Sequence, residues 1–172
     1  MINQQHRTLW FALSLAVIAG CYKQPFDLES ANKEVVRSWF AALDAQDYDA
    51  LTILMDDQFV VPPNIVDDPP RKVGREATFE MIRGFYSSFP NYTHEIRDMI
   101  AEGNQVSVRA VLRGTHAGDY GGVAPTGVEV EYYGAYMMTV IDGVLTEGWN
   151  LDDEINLYSQ LGMELTPVLE EN

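Results

Sequence analysis

The sequence predicts an α+β domain, with helices packed on a curved antiparallel sheet. Two observations carry this. Apolar residues recur at helical spacing as far as Phe85, and from Thr93 onward they alternate with a period of two. The alternating segments are joined by short turns at Gly103-Asn104 and Asp142-Gly143, which is how a meander is written in sequence. Helices first and strands afterwards is the α+β order. At 47% hydrophobic and 11% aromatic, the chain has the material for a core and is not a disordered one.

In order along the chain, Ser30 is a candidate N-cap. Val35, Val36, Trp39, Phe40 and Leu43 then form one apolar face of a first helix. A second helix is expected over Tyr48–Met55, capped by Asp47, with Leu51, Leu54 and Met55 inward. Gln58–Val61 reads as a short strand stopped by Pro62-Pro63, and the stretch to Gly74 as a loop. A third helix is expected over Arg75–Phe85, carrying Phe79, Ile82 and Phe85 on one side. Strands follow over Thr93–Glu102 and Gln105–Gly114. In the second, Val106, Val108, Ala110 and Leu112 share a face. After a Gly-rich loop containing His116 come strands over Val128–Ile141 and Val144–Leu151, and a final helix over Glu154–Leu161.

The first twenty residues stand apart. They hold one charged side chain, Arg7, and an apolar run from Leu9 to Gly20. A helix rises about 1.5 Å per residue and a bilayer needs roughly 20 residues, so the run is too short to span and fits the core of a signal peptide. Val17-Ile18-Ala19-Gly20-Cys21 resembles the bacterial lipobox, and Cys21 is the chain's one cysteine. The organisation expected is a lipoprotein signal peptide over 1–20, a lipidated tether over 21–30, a folded domain over 31–165 and a tail over 166–172. Lipid on Cys21 would anchor the protein to a membrane of the bacterial cell envelope. Tyr22, in place of the aspartate that retains lipoproteins in the inner membrane, points to the outer membrane of a Gram-negative source, on its periplasmic side.

The chain's formal net charge is −15, and all 26 acidic residues lie beyond the leader without forming a tail. That excludes nucleic acid as a partner, because a phosphate backbone needs clustered Lys and Arg. A single cysteine excludes an internal disulfide and a Cys-x-x-Cys zinc site. The Gly-rich loop lacks the Lys and following helix of a phosphate loop. His116 and Asp119 have no third ligand, so no metal site is expected.

Several short motifs fall in a telling order: Phe89-Pro90-Asn91-Tyr92, Gly114-Thr115-His116 with Gly118, Pro125-Thr126-Gly127, and Trp149-Asn150-Leu151-Asp152-Asp153 followed by Gln160-Leu161-Gly162. Together they resemble the SnoaL-like polyketide cyclases, often called ester cyclases, of the nuclear transport factor 2-like superfamily. The resemblance runs from about Asn32 to Gly162. It implies a conical, cystatin-like α+β barrel around an apolar pocket, and ring closure of a small apolar carbonyl compound by intramolecular aldol chemistry without metal or organic cofactor. It also implies a homodimer formed through the outer face of the sheet.

In that family an aspartate four residues after a tryptophan is the acid–base group, which here is Asp153 after Trp149. Alternation along a strand places Trp149, Leu151 and Asp153 on one face and Asp152 on the other. A carboxylate beside an indole and a leucine loses solvation, so its pKa should rise. The same aspartate is equally suited to cap the helix that follows. Thr139 stands where active cyclases carry a basic or imidazole side chain, and can hydrogen-bond a substrate oxygen. Tyr136 and His116 complete the expected pocket. For His116 the other reading is a ring that orders its own loop. Two functions are left open by these residues: a cofactor-independent cyclase-type enzyme, and a lipid-anchored protein that binds a small molecule or a partner without chemistry.

Overall fold

The structure, a computed structural model, describes residues 27–63 and 71–164. The expected signal peptide and lipobox, with Cys21, and the residues beyond 164 lie outside the described residues. No helix among the described residues is long and apolar enough to cross a membrane.

Helix α1 spans Leu28–Asp44. Its cap is Asp27, whose carboxylate accepts the backbone N–H of Ser30 at 3.1 Å, so the helix begins three residues before the expected site and takes up the end of the expected tether. Its face of Val36, Trp39, Phe40 and Leu43 is buried. Asp47 caps α2, Tyr48–Leu54, through the N–H of Ala50 at 3.0 Å. Met55 is already extended and opens strand β1, Met55–Val61, earlier than its sequence suggests. The expected loop contains a two-residue strand β2, Arg71–Lys72. Helix α3 runs Arg75–Ser88, and then come β3 Thr93–Glu102, β4 Gln105–Thr115, β5 Glu129–Ile141, β6 Val144–Asp152 and α4 Glu154–Gln160.

The six strands form one sheet in the order β2-β1-β6-β5-β4-β3. The meander β3 to β6 is antiparallel as expected, but β1 pairs parallel to β6, so the sheet is mixed. The curved sheet stays open rather than closing into a barrel, with helices on its concave side. Asp142 and Gly143 both have positive φ, 50° and 82°, the geometry a two-residue hairpin needs to match strand twist.

Alternation sets the two faces of the sheet. On β5, Val130, Tyr132, Tyr136, Met138 and Val140 are buried in the core on the face that meets α1 and α4, while Tyr133 and Met137 lie about half exposed on the outer face. Val106, Val108, Ala110 and Leu112 of β4 face the same core.

Candidate active site

Between the concave face of the sheet and helices α1 and α3 lies a cavity of about 300 Å³. Trp39 and Leu43 come from α1, and Ile82, Phe85 and Tyr86 from α3. Phe59 and Val61 of β1, Tyr136 and Met138 of β5, and Leu145 of β6 add further walls. Small residues make the room. Gly148 faces Phe59 so closely that a Cβ there would sit 2.7 Å from its Cζ.

Into this apolar space the end of β6 delivers Asn150 and Asp152. The register decides this. Tyr136 pairs with Asn150 and Gly134 with Asp152, so the even-numbered residues at this end of β6 share the inner face of β5. Ala110, Gly134 and Asp152 lie abreast on β4, β5 and β6, and the glycine leaves a dip in which the Asp152 carboxyl rests. Asp152 Oδ2 accepts a hydrogen bond from the Asn150 amide at 2.9 Å. Its Oδ1 is buried without a partner. Loss of water raises the Asp152 pKa above the ordinary carboxylate value; Asn150, the His94 ring and the Tyr136 hydroxyl pull the other way without reversing it.

The tyrosines around it are held as neutral phenols. Burial pushes Tyr136, Tyr92 and Tyr86 above the usual phenol range. Tyr92 and Tyr132 share a hydrogen bond of 2.6 Å between their hydroxyls. His94 of β3 also lines the cavity. Its ring Nδ1 lies 2.6 Å from Oδ1 of Asp44, the last residue of α1, and its backbone N–H donates to the other oxygen of the same carboxylate at 3.1 Å.

The expected site is therefore redrawn. Tyr136 lines the cavity, and Trp149 borders both the cavity and a second hollow on the outer face. Asp153 does not point inward. It is exposed, has left the strand, and caps α4 by accepting the N–H of Asn156 at 3.1 Å. Leu151 is 57% exposed on the outer face. Thr139 lines the outer hollow with Pro62 and Pro63. The alternation expected for β6 holds, but the inward face is the opposite one, because its pairing with β5 sets which residues face the helices.

His116 is fully buried away from the cavity, stacked on Phe89 at 5.3 Å with Nδ1 3.0 Å from the Thr126 hydroxyl, and so pins its loop. Neither Asp44 nor His94 stands out in the sequence. The available signals were an acid at the C-terminal end of a helix, where the dipole disfavours it, and a histidine sharing strand parity with Tyr92 and Ile96. Among the described residues no group of three or more His, Cys, Asp and Glu is arranged to hold a metal ion.

This architecture, with its cavity and its order of elements, has known counterparts. The profile of SnoaL-like polyketide cyclases matches residues 33–161, most of the chain. The chain belongs to this family. No curated protein matches it. Among solved structures, it is similar to IdmH of Streptomyces antibioticus, described as a candidate polyketide cyclase. The two share 28% identity over 77% of this chain and 99% of that one, with a TM-score of 0.67. A SnoaL-like cyclase candidate from a Jannaschia species superposes with a TM-score of 0.71 at 23% identity, over 81% of this chain and 97% of that one. AclR of Streptomyces galilaeus, described as a candidate hydroxylase, gives 0.68 at 22% identity, over 78% and 97%. The last two likenesses establish the fold alone. One fold carries differently described proteins here, so chemistry has to be argued from the cavity.

Proposed function

We propose that the protein is a cofactor-independent acid–base enzyme of the cyclase type, acting on a small apolar molecule that carries carbonyl groups. One observation carries this reading: a carboxyl group, Asp152, is set into a cavity walled mostly by aromatic and aliphatic side chains. A carboxylate poor in water is a stronger base toward a carbon-bound proton, and its raised pKa suits it to give that proton back.

In the proposed reaction Asp152 takes a proton from the carbon next to a carbonyl. The enolate carbon attacks a second carbonyl carbon of the same molecule. A proton then goes to the oxygen that has become negative. Trp39, Phe59 and Tyr86 give flat surfaces on which a planar substrate would be held in the folded-back conformation that closure requires. Family membership and the likeness to IdmH support the same class of reaction.

The test uses an aryl-substituted 1,5-diketone, whose aldol closure gives an isomeric hydroxycyclohexanone; loss of water from that ketol yields a cyclohexenone with a strong near-ultraviolet band. The protein should accelerate closure, and Asp152→Asn should lower the rate by about 100-fold or more while leaving the melting profile cooperative. A variant that closes the diketone as fast as the parent would refute the role of Asp152. Tight retention of the diketone without turnover would favour a binding protein instead.

A further inference from the structure

We infer that the cavity holds a second proton-transfer group, the His94 imidazole, aimed and charge-compensated by Asp44 and working as the partner of Asp152. This deepens the reading of the cavity just given and rests on it.

The geometry is that of an oriented ring. One carboxylate grips both the backbone and the side chain of the same residue, through Oδ2 to the N–H at 3.1 Å and through Oδ1 to ring Nδ1 at 2.6 Å. Packing completes the hold, with Phe40 and Tyr92 rings at 5.0 and 5.1 Å from the imidazole. The His94 side chain is 7% exposed. With Nδ1 committed to Asp44, proton exchange is left to Nε2. That nitrogen has no hydrogen-bond partner among the described residues, yet unlike Nε2 of His116 it is not sealed in the core. A histidine that merely filled space would need no carboxylate behind it. An aspartate at the C-terminal end of α1, opposed by the helix dipole, finds its compensation in this ring.

The division of labour follows from charge. Asp152, as carboxylate, takes the carbon-bound proton: the C–H bond breaks, O–H forms, and the electron pair passes into the enolate. When the new C–C bond forms, the pair of the attacked C=O moves onto oxygen. His94, protonated on Nε2 and neutralised by Asp44, gives that oxygen its proton. The Asp152 carboxyl then returns its proton to Nε2, restoring both groups, and the product is an isomer of the substrate. A cavity with one carboxyl alone would have to carry the proton across the substrate between the two steps.

The titratable groups around His94 are Asp44 of α1, which it touches, the rings of Tyr92, just before β3, and Tyr136 of β5 at 5.1 and 6.0 Å, and, lining the same cavity, Tyr86 of α3 and Asp152 of β6. The tyrosines are held as neutral phenols, so the carboxylates are the charges it feels.

The test needs no substrate at first. In the full chain labelled with ¹⁵N-histidine, the His94 signals are assigned by their loss in His94→Gln. The parent should show the tautomer with the proton on Nδ1, and Asp44→Ala should lose that preference. Asp152→Asn should shift the His94 Nε2 signal, because the group across the cavity from that nitrogen has changed. An unmoved Nε2 signal in a folded Asp152→Asn protein would overturn the pairing, whether or not the diketone is turned over. Where it is, the parent rate should fall on the alkaline side as His94 loses its proton. His94→Gln should be slower by about 100-fold and lack that limb, and Asp44→Asn should move the limb to lower pH. A His94→Gln enzyme with the parent's rate and pH profile would also overturn the inference.

Discussion

Gly134 is the residue whose change should most directly displace the Asp152 carboxyl. A Cβ built on it would stand 2.5 Å from Asp152 Oδ1, 2.7 Å from Leu112 Cδ1 and 3.1 Å from a Tyr136 ring carbon. Ordinary contact begins near 3.4 Å, so in Gly134→Ala the carboxyl oxygen has to retreat most of an ångström. Its neighbours leave it little choice of direction. Gly134 lies between Ala110 and Asp152 on paired strands, and the backbone there is held by the ladder on both sides. Forcing an extra methyl into a packed site costs about 1–3 kcal/mol. At roughly 2–4 °C for each kcal/mol in a domain of this size, a cost near 2 kcal/mol lowers Tm by about 4–8 °C. Misplacing a reacting group by about 1 Å is expected to cost about 100-fold in rate, well beyond what the stability loss explains. The assay is a thermal melt and diketone turnover on Gly134→Ala, Asp152→Ala and the double variant. If the carboxyl is what the methyl strikes, the stability cost of Gly134→Ala should shrink by about 1 kcal/mol or more once Asp152 is truncated. Strict additivity of the two changes, or a Gly134→Ala protein with parental Tm and rate, would refute this placement of Asp152.

Other outcomes are expected. Burial raises the folded-state pKa of Asp152 above its unfolded value of 3.8, so the stabilising share of its protonated form is complete below that value and is lost as pH rises through the folded one. Asp152→Asn should therefore gain stability on the parent as pH rises through that window, by about 1.4 kcal/mol for each unit separating the two pKa values, and urea titrations between about pH 3.5 and 7.5 that show a constant difference would contradict it. Asp153→Ala should cost about 1 kcal/mol through the lost cap and Asp153→Asn much less, with diketone turnover unchanged in both; a large loss of turnover would return the chemistry to Asp153. Cys21→Ser should abolish incorporation of labelled palmitate, and continued labelling would remove the lipobox proposal. The half-exposed Tyr133, Met137 and Leu151 on the outer sheet face are the proposed contact between two copies, so light scattering on protein lacking residues 1–21 should give a dimer, and a monomer at high concentration would dismiss it.

The order of elements was legible because each rests on local physics. Asp47 and Pro62-Pro63 punctuate the chain, Asp142-Gly143 can make its turn whatever surrounds it, and the period of two from Thr93 follows from the backbone of a strand. The motifs from Phe89 to Gly162 carried the family. Three things were decided only in three dimensions. Which parity of β6 faces the helices depends on its register with β5, and that register turns on a shift between Thr139 and Val140 that no local pattern announces. It put Asn150 and Asp152 in the cavity and left Leu151 outside. Where β6 stops is the second. With Asp153 already spent on the first turn of α4, the acid four residues after Trp149 caps a helix and the acid three residues after it enters the cavity. The third is the Asp44–His94 pair, fifty residues apart in sequence. Neighbouring strands lie about 4.8 Å apart, so β3 and β6 would stand roughly 14 Å from each other on a flat sheet. Sequence determines which residues a strand can present, but only the curvature of the sheet and the seat of α1 against it bring His94 and Asp152 to one cavity.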